Sequence, residues 1–240
     1  AAEAGVEVRE GFSADEILVE DGRAIGIRGS SADGRSISEH ARLVIGAEGR
    51  NSVVAETMQS ELYNERPALL AIYYAYWSGV PMDGRFETYI RPNRGFAAAQ
   101  THDGLTVIIA GWPQAEFAKI HCGLEESFDN VLNLAPAFAE RVRSGRRETR
   151  FAGAVTPNFF RKPFGPGWAL VGDAGYLKDP ITGQGILDAF RDAEALAAAA
   201  DETLSGRRGF NAAMEDYQRR RDAAVLAMYD FTCMLARLEP

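Results

Sequence analysis

An apolar stretch that stops abruptly at a glycine and an aspartate most constrains how this chain folds. Residues 168–171 read Trp-Ala-Leu-Val, and Gly172 and Asp173 follow at once. An apolar run of this length, closed by a turn signal, predicts a buried strand that delivers Asp173 to its carboxyl end. Open α/β sheets bind ligands at that edge. An aspartate after a strand is also a common turn residue or cap, so Asp173 alone does not indicate a site.

A glycine-containing loop and a helix follow the Gly-Asp pair. Pro180, Gly183 and Gly185 precede an alanine-rich stretch with helical spacing. Glycines at a helix start let backbone N–H groups approach a ligand, and the helix N-terminus carries partial positive charge. A carboxylate beside such a helix suits a ligand with a hydroxylated chain and an electron-rich ring system. The ribityl chain and the pyrimidine edge of a flavin meet both requirements.

Two segments resemble motifs of one flavoprotein superfamily. Residues 167–197, GWALVGDAGYLKDPITGQGILDAFRDAEALA, resemble the second flavin-binding motif of the FAD-dependent monooxygenase and aromatic hydroxylase superfamily, the group built like p-hydroxybenzoate hydroxylase. Residues 41–56, ARLVIGAEGRNSVVAE, are similar to that family's middle motif, with Glu48 where the family usually has aspartate. The superfamily includes flavin-dependent halogenases and geranylgeranyl-reductase-like oxidoreductases, and KDPITGQGI is closer to that branch.

The resemblance implies an α/β fold with α+β character. It is the FAD/NAD(P)-binding fold of the p-hydroxybenzoate hydroxylase type, with an inserted antiparallel-sheet substrate domain. On this basis residues 1–56 and 161–200 form two parts of an FAD-binding domain, and residues 57–160 form the sheet-rich substrate domain. Residues 201–240 form a C-terminal helical segment.

The resemblance also implies a set of cofactor-binding residues. They are Gly172, Asp173, Pro180, Gly183, Gln184, Gly185, Ile186, Glu48, Gly49 and Val8. In the family pattern, Asp173 hydrogen-bonds the ribityl chain, and residues 183–186 present backbone N–H groups near the pyrimidine edge. Pro180 packs beside the isoalloxazine. Residues 48–49 lie near the pyrophosphate or the nicotinamide route, and Val8 lies near adenine.

One unit of the family has no counterpart in this sequence. The family opens with a strand–GxGxxG–helix unit that binds the adenosine and pyrophosphate of FAD, whereas GPGWAL and GQGILD each lack the third glycine. We therefore expect an N-terminally truncated form of the fold, whether it arises as a fragment, a cleaved chain or an incomplete gene product. Loss of a parallel strand exposes a sheet edge. We expect weak or absent FAD binding by this chain alone unless a homodimer covers that edge.

The remaining sequence predicts elements around these motifs. GVEVREGF (5–12) and residues 16–30 read as strands, and Asp21-Gly22 predicts a type I′ hairpin turn in the second. Leu43 to Ile45 form a short apolar strand. Strands over 69–77, 86–90, 96–100 and 105–110 predict an antiparallel sheet, and a helical stretch covers 125–143 with Pro136 at a break or a helix start.

Two later helices carry apolar residues at helical spacing, which predicts simple core packing. In the first they are Ile186, Leu187, Phe190, Ala193, Leu196, Ala197 and Ala200; in the second, over about 210–238, they are Met214, Tyr217, Ala224, Val225, Met228, Phe231 and Leu235.

The implied function is that of an FAD-dependent oxidoreductase, most closely a monooxygenase that uses NAD(P)H and O2 on an apolar or aromatic small molecule. The alternative is a non-catalytic remnant or interaction protein that no longer binds FAD. Aromatic residues of the sheet are candidates to line the substrate pocket, although core packing is the commoner role for each. They are Tyr73, Tyr74, Tyr76, Trp77, Phe96 and Trp112. The sequence assigns no catalytic residue and no general base.

Composition limits the other classes of function. The net charge of −8 argues against a nucleic-acid surface. Two cysteines far apart in sequence, Cys122 and Cys233, indicate neither a disulfide framework nor a metal site, which fits a reducing cytoplasm. No apolar run approaches the ~20 residues of a membrane span.

Overall fold

The computed structural model describes residues 2–239, which form two compact units. The first unit contains the chain up to Glu65, then Phe159–Leu177 and Gln184–Leu226. The second contains Arg66–Asn158, Lys178–Gly183 and the chain from Ala227 onward. The chain therefore passes between the units within the Gly-rich loop, at the Gly183–Gln184 bond.

Strands are distributed along the chain up to Leu177, and two long helices follow them. The strands are β1 Phe12–Glu20, β2 Arg23–Ser31, β3 Ser36–His40, β4 Val44–Gly46, β5 Leu62–Arg66, β6 Leu70–Ser78, β7 Phe86–Arg91, β8 Arg94–Gln100, β9 Thr106–Pro113, β10 Arg146–Arg147, β11 Ala152–Val155, β12 Asn158–Arg161, β13 Phe164–Gly165, β14 Trp168–Leu170 and β15 Tyr176–Leu177. The α-helices are α1 Val53–Thr57, α2 Phe117–Cys122, α3 Leu124–Leu132, α4 Pro136–Ser144, α5 Gly185–Leu204 and α6 Phe210–Leu235.

A three-stranded antiparallel meander, β1-β2-β3, opens the first unit. Its first hairpin turns at Asp21 (φ 47°) and Gly22 (φ 75°). Positive φ at both central residues defines the type I′ turn, whose twist matches that of the flanking strands. The predicted hairpin is confirmed.

The predicted strand over GVEVREGF is wrong. Residues 6–9 have no regular secondary structure, and Val6 and Val8 are 54% and 61% exposed. A strand exists only where a neighbour completes its hydrogen bonds. The pairing of β1 with β2 begins at Phe12↔Ser31, so the alternating sequence before Phe12 does not enter this ladder.

The strand that leads to the Gly-Asp pair, β14, is buried along its whole length. It pairs with β4 in parallel and with β13 antiparallel, in the order β13-β14-β4. Parallel pairing of the two motif strands agrees with the predicted α/β character. β4 is buried on one face only, because Val44 faces the core and Ile45 is 48% exposed.

The second unit contains the predicted antiparallel sheet, with strand order β10-β6-β9-β8-β7 and with β11 also paired to β6. Helices α2, α3 and α4 cover one face, where Ile120, Phe128 and Phe138 pack into the same core as Tyr73 and Trp112. Pro136 is in the first turn of α4, as predicted, because a missing N–H is tolerated there. Helix α2 was not predicted.

The predicted core face of α5 is wrong in its first turns, and the predicted positions Ala193 and Ala197 are exposed as well. Ile186 is 77% exposed, Leu187 54% and Phe190 72%. The buried residues of α5 are Asp188, Asp192, Leu196, Ala199 and Ala200. The helix is thus rotated so that two carboxylates, rather than three large apolar side chains, face inward near its N-terminus.

The apolar spacing of α6 also marks the core only in part. Met214, Tyr217 and Val225 are buried as predicted, and Leu235 is half-buried. Met228 is 37% and Phe231 46% exposed, and Ala224 is exposed as well. Buried positions of α6 that the prediction did not include are Ala213, Arg221, Tyr229, Thr232 and Cys233. Within residues 2–239, none of the helices combines the length and the hydrophobicity that a membrane-spanning segment needs.

Candidate functional site

The turn after β14 is built on a glycine that needs a left-handed conformation. Gly172 has φ 56°, is buried, and begins a one-turn 3-10 segment, Gly172–Ala174. The N–H of Gly175 donates to the carbonyl of Gly172 at 2.8 Å and closes this turn. Asp173 stands at the carboxyl end of the buried strand, as the sequence predicted, and the residue is exposed there.

The carboxylate of Asp173 lies beside the first residue of α5. A Cβ built on Gly185 would stand 3.8 Å from Oδ1 of Asp173. The structure therefore brings together Gly172, Asp173 and Gly185, all within the first unit. A helix N-terminus offers partial positive charge and N–H groups, so the pair presents a hydrogen-bond acceptor next to donors.

Two buried carboxylates of α5 hold this turn from the inner side. The Gly172 N–H donates to Asp192 Oδ2 at 3.2 Å, and the Tyr176 hydroxyl donates to Asp188 Oδ2 at 2.5 Å. Arg191 forms an ion pair with Asp188 at 3.1 Å. Burial raises the pKa of Asp192 to about 6, against the opposing effect of the nearby Arg221 guanidinium.

The turn that carries Pro180 belongs to the second unit and is capped by Asp179. Oδ1 of Asp179 accepts from the Ile181 N–H at 3.0 Å, and the Asp179 N–H donates to Asn158 Oδ1 at 2.8 Å. Thr182 and Thr232 hydroxyl oxygens lie 2.8 Å apart. Pro180 itself is exposed, and Gly183 ends the turn at φ 63° with open space where a Cβ would lie.

Asp179 is almost completely buried beneath that turn. It is 1% exposed, and its Oδ2 has no hydrogen-bond partner among the described residues. Burial raises the pKa of Asp179 to about 6. Ile181, two residues along the chain, packs with Leu70, Ile72 and Leu238, which ties the turn to one end of the sheet of the second unit.

The middle motif places Glu48 at the start of α1. Glu48 Oε1 accepts from the Ser52 hydroxyl at 2.8 Å and from the Val54 N–H at 2.9 Å. This carboxylate thus caps a helix, which the longer side chain of glutamate allows. Gly49 has φ 81° with open space around it. Val8 stands in the irregular segment before β1, so the structure does not bring it into a strand.

The six aromatic candidates lie on two opposite faces of the sheet of the second unit. Tyr73, Trp77, Phe96 and Trp112 are buried in the core beneath the helices. Tyr74 and Tyr76 alternate with them and are half-buried on the opposite face, away from the helices. Register pairs Tyr74 with Ile109 and Tyr76 with Val107, and these pair onward with Ala97 and Ala99.

A separate cavity of about 760 Å³ lies on the helix-covered side of the second unit. Its lining includes Arg94, Trp112, Lys119 and Ser127, and none of the ten cofactor candidates lines it. We therefore do not assign the cofactor to it. The described residues contain no group of three or more His, Cys, Asp or Glu side chains arranged to hold a metal ion.

Sequence reasoning missed the buried acids that support the two turns. Asp188 and Asp192 stand four residues apart on an alanine-rich helix, and Asp179 immediately precedes a proline. The second pattern is a recognisable cap signature. The first gave no sign that its acids face inward, because their partners Gly172 and Tyr176 lie in a different element.

Comparisons with known proteins agree with this fold. No family model matches the chain. A probable NADH-specific resorcinol 4-hydroxylase from Rhodococcus jostii (strain RHA1) is 24% identical over 98% of this chain and 43% of its own length. The myxobacterial chondrochloren halogenase CndH, a FAD-dependent halogenase, superposes with a TM-score of 0.86 at 24% identity, over 96% of this chain and 55% of its own.

Further solved structures give the same result. The flavin-dependent brominase Bmp2, as a triple mutant, superposes with a TM-score of 0.84 at 17% identity, over 95% of this chain and 60% of its own. PqsL, a probable FAD-dependent monooxygenase from Pseudomonas aeruginosa, gives 0.72 at 22% identity, over 94% and 63%. The chain thus has the fold of FAD-dependent halogenases and monooxygenases, as predicted, and spans about half the length of these relatives.

Proposed function

We propose that this chain provides the isoalloxazine and ribityl contacts of an FAD-dependent oxidoreductase, a monooxygenase that uses NAD(P)H and O2. The observation that carries the proposal is the Asp173 carboxylate beside Gly185 at the start of α5. An exposed acceptor next to helix N–H donors fits a polyhydroxyl chain joined to a ring with carbonyl oxygens. The names of the similar proteins, FAD-dependent halogenases and monooxygenases, support the same cofactor.

FAD, when bound, would supply the redox chemistry, namely hydride acceptance from a nicotinamide and activation of oxygen. The residues of the chain bind and orient it. In this proposal Asp173 accepts hydrogen bonds from ribityl hydroxyls, and residues 183–186 direct N–H groups toward the pyrimidine edge. The positive end of α5 stabilises negative charge on that edge of the ring. These residues fit the flavin end of the cofactor, and no glycine-rich turn within residues 2–239 matches a dinucleotide fingerprint for its adenosine end.

The face of the sheet opposite the helices, at Tyr74 and Tyr76, is the proposed substrate surface. Tyr74 and Tyr76 pair with Ile109 and Val107, and the next strand contributes the small side chains of Ala97 and Ala99 beside them. Such a surface suits a neutral apolar or aromatic molecule held by stacking, with tyrosine hydroxyls as polar handles. The hydroxylase similar to this chain is named for resorcinol and NADH, which supports a small aromatic substrate and a nicotinamide co-substrate.

Titration of the purified chain with FAD, followed by flavin fluorescence, tests the proposal. We expect weak, saturable binding that Asp173→Ala weakens further, because the ribityl acceptor is lost. Glu194→Ala is the matched control, since Glu194 is an exposed acid on α5. Tight stoichiometric binding would refute the expected weakness of this chain alone. Binding that Asp173→Ala leaves unchanged would refute the assigned contact.

The second candidate is a non-catalytic interaction protein, and the exposed apolar side chains at the start of α5 favour it. Ile186, Leu187 and Phe190 present three large apolar groups to solvent within two turns. Contiguous exposed apolar groups commonly mark an interaction surface. A homodimer formed through this surface is part of the same proposal. We also propose a cytoplasmic location, where both cysteines would stay free, as they are in the structure. A cooperatively folded chain with no saturable FAD binding would favour this candidate.

A further inference from the structure

We propose that Asp192 is a positioning residue: it fixes the Gly172–Asp173 turn against α5 and so sets where the Asp173 carboxylate stands relative to Gly185. The inference rests on the proposed function for its meaning, since Asp173 is the proposed ribityl acceptor. The geometry that carries it lies wholly within the first unit.

The Gly172–Asp173 turn packs against one face of helix α5. A Cβ on Gly185 would lie 3.8 Å from Asp173 Oδ1, and a Cβ on Gly172 would lie 3.0 Å from Ala189 Cβ. Three residues beyond Ala189, Asp192 accepts the Gly172 N–H at 3.2 Å. Positions 185, 189 and 192 are spaced i, i+4 and i+7, so they share one helix face. Asp192 supplies the hydrogen bond of that contact.

A buried aspartate at position 192 is less favourable for folding than an apolar side chain would be. It is 1% exposed, and its Oδ1 has no hydrogen-bond partner among the described residues. A buried carboxylate of this kind costs folding free energy that an alanine or leucine would not. The rest of the inner face of α5, at Leu196, Ala199 and Ala200, is apolar. The hydrogen bond from the Gly172 N–H therefore accounts for the presence of a carboxylate at this buried position.

The surroundings of Asp192 determine when it carries charge. The groups that face it are Asp188 and Arg191 of α5, Arg221 and Tyr217 of α6, and Tyr176 of β15. Burial raises the pKa of Asp192 to about 6, and the two arginines oppose this effect. Because burial raises this pKa, Asp192 binds a proton more tightly when the Gly172–Asp173 turn is packed against it than when the turn opens and water reaches it. The packed state is therefore favoured as pH falls through 6.

Hydrogen exchange of the unliganded chain, measured by mass spectrometry on a peptide covering 168–177, tests the positioning role without any cofactor. In Asp192→Leu we expect protection of this peptide to fall by at least about tenfold, since the acceptor of the Gly172 N–H is gone. Asp192→Asn retains an acceptor oxygen and should restore protection. Glu194→Leu, on the exposed side of α5, is the matched control and should match the wild type.

The pH dependence distinguishes positioning from bulk packing. In the wild type, protection corrected for intrinsic exchange should rise about tenfold between pH 7.5 and pH 5, and it should stay level in Asp192→Asn. Equal protection in Asp192→Leu and wild type would overturn the inference, as would an unchanged pH step in Asp192→Asn. If Asp192→Leu does not fold, the comparison of Asp192→Asn with wild type decides alone.

A parallel FAD titration separates this inference from the proposed function. Where the wild type binds FAD, Asp192→Leu should raise the dissociation constant about tenfold, and Asp192→Asn and Glu194→Leu should not change it. A wild type that binds no FAD contradicts the proposed function, and the exchange data still decide whether Asp192 fixes the turn.

Discussion

The hydroxyl of Tyr176 donates a 2.5 Å hydrogen bond to Oδ2 of Asp188, and both residues are buried. The bond joins β15, just beyond the Gly-Asp turn, to the inner face of α5. Tyr176→Phe removes the donor and leaves a buried carboxylate less well solvated. We expect the free energy of unfolding to fall by about 1–3 kcal/mol, measured by urea denaturation.

Tyr89→Phe is the matched control for that substitution. Tyr89 also donates to a carboxylate at 2.5 Å, that of Glu87, but both terminal nitrogens of the Arg141 guanidinium donate to Glu87 as well. Loss of the Tyr89 hydrogen bond should therefore lower the free energy of unfolding less than loss of the Tyr176 hydrogen bond. Equal or reversed effects would show that the Tyr176 bond does not stabilise the first unit in the way its burial implies.

Asp179 should make the stability of the chain fall as pH rises. Burial raises its pKa to about 6, above the ordinary value of 3.8 expected in the unfolded chain. The folded state then binds the proton more tightly. Its contribution is fully present below pH 4 and is lost as pH rises through 6. Relative to Asp179→Asn, the wild type should lose up to about 3 kcal/mol between pH 4 and pH 7.

Urea denaturation of both proteins across that pH range checks this expectation. Asparagine retains an oxygen to accept the Ile181 N–H and does not ionise, so the cap is preserved while the titration is removed. Parallel stability curves for the two proteins would show that Asp179 is not buried as an acid. Asp201→Asn is a suitable control, since Asp201 is an exposed acid on α5.

Local signals in the sequence predicted the local structure well. Asp21-Gly22 fixed a hairpin because both residues tolerate positive φ, and Pro136 marked a helix start because its ring suits the first turn. The Gly172–Asp173 pair ends a buried strand, as expected. Each of these features depends on the conformational preference of one or two residues and needs no distant partner.

The orientation of α5 could not be predicted in that way. Apolar residues from 186 to 200 and acids at 188 and 192 both follow helical spacing. Hydrogen bonds from Gly172 and Tyr176, which lie outside the helix, determine that the two acids face inward. Exposed apolar side chains at Ile186 and Phe190 follow from that choice. The assigned cofactor contacts remain predictions, because they depend on a ligand as well as on the chain.

Gly185→Ala should separate folding from cofactor binding. Gly185 is the first residue of α5, and an added Cβ would meet Asp173 Oδ1 at 3.8 Å, an ordinary van der Waals distance. Alanine suits a helix better than glycine, so the free energy of unfolding should stay level or rise by up to about 1 kcal/mol. The methyl group occupies the approach to the helix N–H groups, and FAD affinity should fall. Unchanged affinity in a flavin fluorescence titration would contradict the proposed ring contact.

The exposed apolar surface of α5 should govern self-association. Leu187 is 54% and Phe190 72% exposed, so replacing both with aspartate removes little buried area and should change the free energy of unfolding by less than about 0.5 kcal/mol. Two like charges on the surface should abolish a homodimer that buries it, because desolvating unpaired carboxylates is costly. Sedimentation velocity over a concentration series measures this, with Leu226→Asp, an exposed apolar position on α6, as the matched control. We expect concentration-dependent association in the wild type and in the control, and a monomer in the double variant. A wild type that stays monomeric throughout would mean that this surface does not mediate homodimerisation.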